Sequence, residues 1–436
     1  MIDKYYNGVI EQVVSGIGNV EHNSILVRYS NDFSIWDLES VNHYKDQSDI
    51  FFTCHEFSYN KIAEAYEPYL GLIRQMFHRY CSGTLEEFME ECDVYKLQRP
   101  VFESYFENGF CERTEQILID EVEYEQERMR NSIVTMLQKL SEIRPVVIVL
   151  NRFQLASKST MQLTNRLLQT KNKNIGIVLG VNDVQSIPEF AHEEWDAICE
   201  SMDDRNMVYH IGNAGRNMEP DVMDYYSDYE SDDGYRKLNN LVYFLDFDQA
   251  DHHLSKIERR IKFDNFTISE KKHYQLLLLQ IMVSVLQRDI AKALESCEDL
   301  EKLQDQEKEG AFYYNFWMAT SYMYLGKLEE AMIYVQKAKE CGEALGDDFL
   351  VFRAELLKAQ NQMSGWCNIF FCAQDIEISD KLIEKLNAYH YKNHLAHIYI
   401  YAYDNKPEIV AKAYRSEAFL IYFSKGVALA KEIGNE

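Results

Sequence analysis

One stretch decides the fold: Pro145-Val-Val-Ile-Val-Leu150-Asn151-Arg152-Phe-Gln-Leu-Ala-Ser157. Residues 146–150 form an unbroken apolar run that is mostly β-branched, which is typical of a strand buried on both faces of a parallel sheet. The run ends abruptly in polar residues, and apolar residues then recur at helical spacing at Met161, Leu163, Leu167 and Leu168. A buried strand that leads directly into a helix predicts a βα unit.

Four further short apolar runs predict the other strands of the sheet, and they lie at residues 24–29, 49–54, 174–180 and 205–211. Residues 112–143 carry an amphipathic helical pattern that leads directly into the stretch above, as a crossover between parallel strands would. Five strands separated by helices predict a parallel, doubly wound α/β sheet. A flavodoxin-like order of these strands is an alternative that the pattern leaves open.

The residues after the buried run stand where a catalytic group would be expected. In P-loop ATPases such a strand delivers an acidic residue to Mg²⁺ at its carboxyl end, whereas this chain has Asn151 and Arg152 there. The stretch resembles the second nucleotide motif of STAND-type AAA ATPases, the signal-transduction ATPases of large bacterial regulators. In that motif two acids occupy the positions of Asn151 and Arg152, and a further Asp occupies the position of Ser157. The resemblance implies a P-loop-like α/β domain that has lost these carboxylates.

The same resemblance places a phosphate-binding loop directly after the strand at residues 24–29. Glycines in such a loop let backbone amides wrap the phosphates, and a lysine neutralises their charge. The chain instead continues Ser30-Asn31-Asp32-Phe-Ser-Ile-Trp-Asp37, with no glycine, no lysine and two acids. We therefore interpret Ser30, Asn31 and Asp32 as degenerate motif positions. We expect no catalytic residue, no cofactor and no metal site, and we favour a plain loop for Asn182 and Asp183, where the family senses the γ-phosphate.

A second kind of pattern begins near residue 240, where the apolar period is helical throughout. Residues 318–338 resemble a tetratricopeptide (TPR) repeat closely. The repeat implies a small residue where paired helices touch, an aromatic residue in the first helix, a glycine in the turn and three packing positions in the second helix. These roles fall on Ala319, Tyr322, Gly326, Ala331, Val335 and Ala338. An all-α, TPR-like superhelical solenoid of three or more hairpins is predicted.

The predicted layout is a degenerate P-loop NTPase-like domain at residues 1–218, an acidic, Tyr-rich linker or loop at 219–238, and the TPR-like solenoid at 239–436. The linker's acids could bind Ca²⁺, but the run Asp228-x-Glu230-x-Asp232-Asp233-Gly234 lacks the ligand Glu that should follow downstream. Likewise His390, His394 and His397 share one helical face without an acidic or thiol partner at helical spacing. A solvated linker and a repeat groove are therefore favoured over metal sites.

Composition limits the classes of partner. The chain has 436 residues, enough for two or three domains, and a formal net charge of −26 that would repel nucleic acid and anionic lipid. Its nine cysteines include no Cys-x-x-Cys pair, which indicates reduced intracellular thiols. No apolar run approaches the length of a membrane span. We expect a cytoplasmic protein that does not bind nucleic acid or membranes directly.

These observations predict a non-catalytic regulatory or signalling scaffold, a pseudo-ATPase whose TPR-like region binds a protein or peptide. No polar capping helix follows the last repeat, which predicts either that the chain is the N-terminal part of a longer transcriptional or signalling regulator or that a partner, including a second copy, covers this face. The alternative is a nucleotide-binding switch that binds ATP but barely hydrolyses it. No sequence motif nominates an enzyme of unrelated mechanism.

Overall fold

Contacts divide the chain into two compact units, of which the first contains residues 1–94, 98–114 and 123–253 and the second contains residues 95–97, 115–122 and 254–436. The structure is a computed structural model. It describes residues 2–19, 23–29, 34–45, 49–58, 61–111, 122–170, 172–182, 191–203, 208–211, 229, 231–263, 266–364, 380–389, 391–392, 394–396 and 417–433. The division falls within one helix, because residues 253 and 254 both lie in Phe247–Phe263.

The first unit is built on a five-stranded sheet in which every pairing is parallel. Its strands are β1 (Ser24–Tyr29), β2 (Phe51–Glu56), β3 (Val146–Asn151), β4 (Ile175–Asn182) and β5 (Val208–Ile211). The predicted parallel α/β sheet is confirmed. The strands follow the order β2-β3-β4-β1-β5, which differs from the flavodoxin-like order 2-1-3-4-5. The flavodoxin-like alternative therefore does not describe this sheet.

Burial explains why β3 and β4 were readable from the sequence. Every residue of both strands is buried, since each has a neighbouring strand on both sides, and continuous apolar runs are expected for such strands.

The helices of the first unit are α1 (Ile2–Ser15), α2 (Glu39–Tyr44), α3 (Tyr69–Tyr80), α4 (Leu85–Glu91), α5 (Arg99–Asn108), α6 (Val122–Ile143), α7 (Lys158–Gln169), α8 (His192–Asp203), α9 (Asp232–Tyr243) and the start of α10 (Phe247–Phe263).

The segment predicted as a linker at 219–238 differs from the prediction in its last part. Helix α9 begins at Asp232, because the Ser231 side chain caps it by accepting a hydrogen bond from the Gly234 amide. Asp233, one of the acids weighed as a Ca²⁺ ligand, instead pairs with Arg236 and Lys237 on the same helix. Asp228 and Glu230 lie outside the described residues.

The second unit is helical in all the parts that the structure describes as regular. Its helices, after the end of α10, are α11 (Glu270–Leu286), α12 (Ile290–Leu303), α13 (Gly310–Tyr324), α14 (Leu328–Leu345), α15 (Asp348–Ser364), α16 (Asp380–Ala388) and α17 (Glu417–Ile433). Consecutive helices pack on each other from α11 to α16. No helix in the described part of the chain combines the length and apolar character needed to cross a bilayer.

Candidate functional site

The carboxyl ends of three strands bring polar residues together along one edge of the sheet, and we call Tyr29, Glu56, Asn151 and Arg152 the edge cluster. Tyr29 is the last residue of β1, Glu56 ends β2 and Asn151 ends β3. Glu56 and Asn151 are paired in the β-ladder. Ligands of open α/β sheets bind outside the carboxyl ends of the strands, so this edge is the place where a nucleotide site would be built.

Asn151 is the centre of the edge cluster and is completely buried. Its Oδ1 accepts a hydrogen bond from the Tyr29 hydroxyl at 2.8 Å. Its Nδ2 donates to Glu56 Oε1 at 3.1 Å. Both ends of the amide are therefore satisfied within the protein, and the side chain links the ends of β1, β2 and β3.

Glu56 supplies a carboxylate at this edge, although it comes from β2 rather than from β3. Besides Asn151, its partners are the Ser34 hydroxyl, which donates to Oε2 at 3.1 Å, and the Arg152 guanidinium, 3.8 Å from Oε1. Sequence reasoning missed Glu56 because the predicted strand ended at Cys54. The signal that could have found it is the pairing of two strand ends, which places the last residue of β2 beside the last residue of β3.

Arg152 has the left-handed backbone conformation, with φ +53°. This conformation is uncommon for a residue other than glycine and is worth attention when it occurs beside a candidate site. It turns the chain from β3 into a short 3₁₀ turn, Phe153–Leu155. In that turn Gln154 Oε1 accepts a hydrogen bond from the Asn182 amide at 3.2 Å, so the backbone at the end of β4 is engaged as well.

The space beside Asn151 on the interior side of the edge cluster is filled by the buried side chain of Tyr6. Gly180 of β4 has no side chain here because a Cβ would overlap the Tyr6 hydroxyl and lie 2.6 Å from Asn151 Oδ1. Tyr6, on α1, is fully buried, and burial raises the pKa of its phenol well above the ordinary value. The edge cluster is therefore packed from below by a neutral aromatic side chain.

The predicted phosphate-loop positions Ser30, Asn31 and Asp32 lie outside the described residues, as does Asp183. The residues that flank these positions do approach the end of β3: Tyr29 contacts Asn151, and Ser34 contacts Glu56, which is itself hydrogen-bonded to Asn151. The described ends of the two stretches that the sequence singled out are thus close in space.

A second ionisable cluster follows β2, on the other face of the strand from Glu56. His55 Nε2 lies 3.4 Å from Glu67 Oε1, and Glu67 Oε2 accepts a hydrogen bond from the Glu64 amide at 3.0 Å. Burial lowers the pKa of His55 to about 4 and raises the pKa of Glu64 and of Glu67. Asn240 of α9 donates to the Glu64 carboxylate at 3.2 Å. The cluster joins α9 to the loop after β2, and no sequence signal indicated it.

A third polar cluster occupies the amino terminus of α7, which follows the second motif. The Asp246 carboxylate, which is buried, accepts hydrogen bonds from the amides of Ser159 at 2.9 Å and Gln249 at 3.3 Å. Asp246 therefore satisfies the first turns of both α7 and α10, and a carboxylate is favoured at such positions. Lys158 pairs with Asp248 at 2.5 Å and with Glu194 at 3.6 Å. The helix start is thus occupied by side chains of the protein itself.

Metal-ligating side chains are not grouped in the described residues: no set of three or more His, Cys, Asp or Glu is arranged to hold an ion. Of the three histidines that the sequence pattern aligned on one face, His394 is buried, and His390 and His397 lie outside the described residues.

The predicted repeat positions lie at one helix–turn–helix. Ala319, Ala331 and Ala338 are completely buried and Val335 nearly so. Tyr322, partly buried, stacks on Tyr334 with ring centroids 5.5 Å apart. The turn between α13 and α14 contains Gly326 at φ +72°. Ala319, Ala331 and Val335 belong to one apolar cluster with Met323 and Leu357, whereas Ala338 packs in a neighbouring cluster with Phe312.

Comparison of the chain with family models, with curated proteins and with solved structures found no match. The geometry of the edge cluster and of the helical unit therefore indicates what this chain can do. The hydrogen bonds of the edge cluster limit the chemistry that this edge of the sheet can perform.

Proposed function

We propose that this protein is a non-catalytic cytoplasmic scaffold of regulation or signalling, in which a degenerate STAND-type P-loop ATPase domain is joined to a TPR-like solenoid that binds a protein or peptide. The observation that carries the proposal is the buried amide of Asn151, whose two ends are bound by Tyr29 and Glu56. An amide in this state carries no charge to offer a metal ion, and its oxygen already accepts a hydrogen bond from Tyr29.

The charges of the edge cluster also oppose phosphoryl transfer. Catalysis of that reaction depends almost entirely on positioning and on neutralising the charge of the phosphates, usually through Mg²⁺ held by carboxylates. Both oxygens of Glu56 already accept hydrogen bonds, and the Arg152 cation stands 3.8 Å away. A divalent cation at this point would meet a positive neighbour and a carboxylate whose two oxygens already accept hydrogen bonds.

The strand order supports the resemblance to a P-loop domain. Strand β4 lies between β1 and β3, so the loop position after β1 and the second motif after β3 stand on either side of the β4 end. The hydrogen bond from Tyr29 to Asn151 spans that distance. A flavodoxin-like order would instead place β1 directly beside β3.

The helical unit supports the scaffold half of the proposal. The small residues of the predicted repeat are buried, and consecutive helices pack on each other, which is the organisation that stacked helical hairpins require. Large apolar side chains remain exposed on α14 and at the end of α13, among them Ile333 at 58% and Leu325 at 46%. Such residues are available for contact with a protein or peptide.

Isothermal titration of the full chain with ATP and ADP, with and without Mg²⁺, tests the proposal. We expect no heat of binding at micromolar nucleotide and no release of phosphate above the buffer rate. Micromolar binding accompanied by turnover would overturn the proposal. The Arg152→Glu variant is a useful companion, because it removes the cation and restores one motif acid without touching the buried amide.

A second candidate function, a switch that binds nucleotide with little hydrolysis, is favoured by one observation: Glu56 retains a carboxylate at the edge where a metal would stand. Such a protein should carry nucleotide through purification. Anion-exchange chromatography of the supernatant after heat denaturation would detect it, and Glu56→Gln should abolish the signal. A nucleotide-free supernatant favours the scaffold.

A further inference from the structure

Strand β2 forms one margin of the sheet, and no strand among the described residues pairs with the backbone groups of its outer side. The Phe51 amide donates to Pro145 O at 2.7 Å and the Phe57 amide to Asn151 O at 3.1 Å, so alternate residues from 51 to 57 face β3. The N–H and C=O groups of Phe52 and Cys54 consequently point away from β3. No other strand in the described part of the chain pairs with this side of β2.

A hollow of about 460 Å³ lies along the amino-terminal half of this margin. The strand itself forms one wall, with residues 50–54, and the opposite walls carry two aromatic and three basic side chains: Trp36, Tyr80, Lys45, Arg79 and Arg144. A second hollow of about 550 Å³ continues from it and shares Phe51, Gln75 and Arg79. The strand margin therefore opens into a concave surface rather than into flat solvent.

The charge of the hollow is opposite to that of the chain. None of the described residues that line it is acidic, although Asp and Glu outnumber Lys and Arg by 71 to 45 in the whole sequence. Arg144 is held in place, since it donates to the Tyr80 hydroxyl at 3.0 Å and lies over the same ring at 4.6 Å. Lys45 and Arg79 are exposed, and the Arg79 guanidinium lies over the Tyr80 ring at 5.5 Å from its centre.

We propose that the β2 margin binds an acidic, extended peptide segment of a partner protein, which joins the sheet as an additional strand. Backbone groups of Phe52 and Cys54 would give the hydrogen bonds that support strand addition. The three cations, which flank β2 on both faces, would attract the carboxylates of the peptide, and Trp36, 48% exposed, would contact its apolar side chains. This surface is separate from the edge cluster, so the inference does not depend on the proposed scaffold function.

Basic residues beside an unpaired strand have another known role, since they discourage unwanted pairing between sheets. In that role the basic residues would repel every incoming strand of like charge, and a hollow with aromatic walls would not be needed. The two explanations differ in one measurable respect: only a binding site should prefer an acidic strand and require its backbone.

Fluorescence anisotropy with the full chain and labelled eight-residue peptides tests the inference. The first probe alternates valine and glutamate, the second replaces glutamate with lysine, and the third keeps the acidic sequence but is N-methylated at alternate amides. We expect the acidic probe to bind at least about tenfold more tightly than the lysine probe, because of the three cations. N-methylation should remove the binding, because it blocks the strand hydrogen bonds.

Charge-reversal variants locate the binding. The double variant Lys45→Glu/Arg79→Glu should weaken the binding of the acidic probe by about tenfold or more. Lys308→Glu/Lys358→Glu makes the same change of net charge at exposed residues that do not line the hollow and should leave the affinity unchanged. Circular dichroism checks that both variants are folded, and Lys45→Ala/Arg79→Ala replaces the first if it is not.

Three results would overturn the inference: no binding of the acidic probe at millimolar concentration, equal binding of the acidic and N-methylated probes, or equal loss in the two charge-reversal variants. Equal loss would mean that the peptide responds to net charge alone. Equal binding of the N-methylated probe would mean that no strand is added. The probe comparison on the unmodified protein remains decisive even if a variant fails to fold.

Discussion

The edge cluster of the sheet and the helix pair α13–α14 both contain positions that a sequence resemblance singled out, and they compare with the resembled motifs in opposite ways. At the end of β3 the side chains differ, because Asn151 and Arg152 stand where the resembled motif has acids. At the helix pair the small residues of the resembled repeat are present, and Ala319 and Ala331 are buried. The difference follows from what each position must satisfy.

A strand such as β3 is specified by burial, which any β-branched apolar residue can provide. The polar residue after it is specified only by the contacts of the site, so that residue can differ without loss of the sheet. A helix pair has no such separation, because the small residues are themselves the packing surface. Substitutions in the two regions should therefore change the free energy of unfolding for different reasons. At the edge cluster the cause should be the interactions of buried polar groups, and at the helix pair it should be backbone conformation or packing.

The largest effect is expected from Gly180→Ala in β4. The new Cβ would overlap the Tyr6 hydroxyl and crowd Asn151 Oδ1 inside a buried strand, so we expect the free energy of unfolding to fall by about 3 kcal/mol or more. Urea unfolding measures it. Gly71→Ala is the matched control, since its Cβ would meet nothing within 4 Å and α3 should gain up to about 1 kcal/mol from the better helix former. Similar stabilities for the two variants would contradict the packing of Tyr6 beneath the cluster.

Acid should destabilise the protein through His55. Its ordinary pKa is 6.5, and burial lowers the pKa to about 4 in the fold. The unfolded chain therefore binds more protons between these values, and the free energy of unfolding falls by at most about 3 kcal/mol as the pH is lowered from 6.5 to 4. Glu64 and Glu67 act in the opposite direction, because their raised pKa values favour the protonated folded state as the pH falls.

The His55→Asn variant separates these opposing contributions. The carboxyl groups remain in the variant, so the difference in unfolding free energy between wild type and variant isolates the imidazole. That difference should change in favour of the variant as the pH falls from 6.5 to 4 and should be constant above pH 7. A difference that is independent of pH across the whole range would show that His55 titrates normally in the fold.

Asn151→Asp tests the edge cluster directly. The new carboxylate would replace the amide 3.1 Å from Glu56, and two like charges this close raise the pKa of one of them. We expect a loss of about 2 kcal/mol in unfolding free energy at pH 7 and a smaller loss at pH 5, where one carboxyl can be protonated. Asn165→Asp is the control. The side chains of Gln169 and Ser201 both donate hydrogen bonds to Asn165 Oδ1, and a carboxylate oxygen in the same place can still accept them. Full stability of Asn151→Asp together with new Mg²⁺-ATP binding would instead restore the resemblance to an active ATPase.

The parts of this fold that sequence could predict are those in which a residue's environment is local or periodic. Strand β3 was evident because every one of its residues is buried, and the helices α13 and α14 were evident from the helical spacing of their apolar and small residues. The sequence did not indicate the order of the strands, because the hydrogen bonds that join β4 to β1 use backbone groups that every sequence shares.

The polar clusters escaped prediction for a related reason. Glu56 stood among polar residues that resemble the start of a loop, and only its pairing with Asn151 gives it a place in the site. Asp246 bonds to the Ser159 amide, 87 positions away in sequence. Such partners are set by the path of the chain in three dimensions, so no pattern within a short window could indicate them.

The smallest effect is expected at the turn of the helix pair, where Gly326→Ala isolates the backbone from packing. Gly326 has φ +72°, and a Cβ there would meet nothing within 4 Å, so the left-handed conformation alone accounts for a loss of about 1 kcal/mol. Gly326→Asn should lose less, since asparagine tolerates this conformation better than alanine. Thermal unfolding of both variants measures the order. Equal losses would mean that side-chain contacts rather than backbone preference decide the turn, and the helix pair would then resemble the edge cluster in depending on particular side chains.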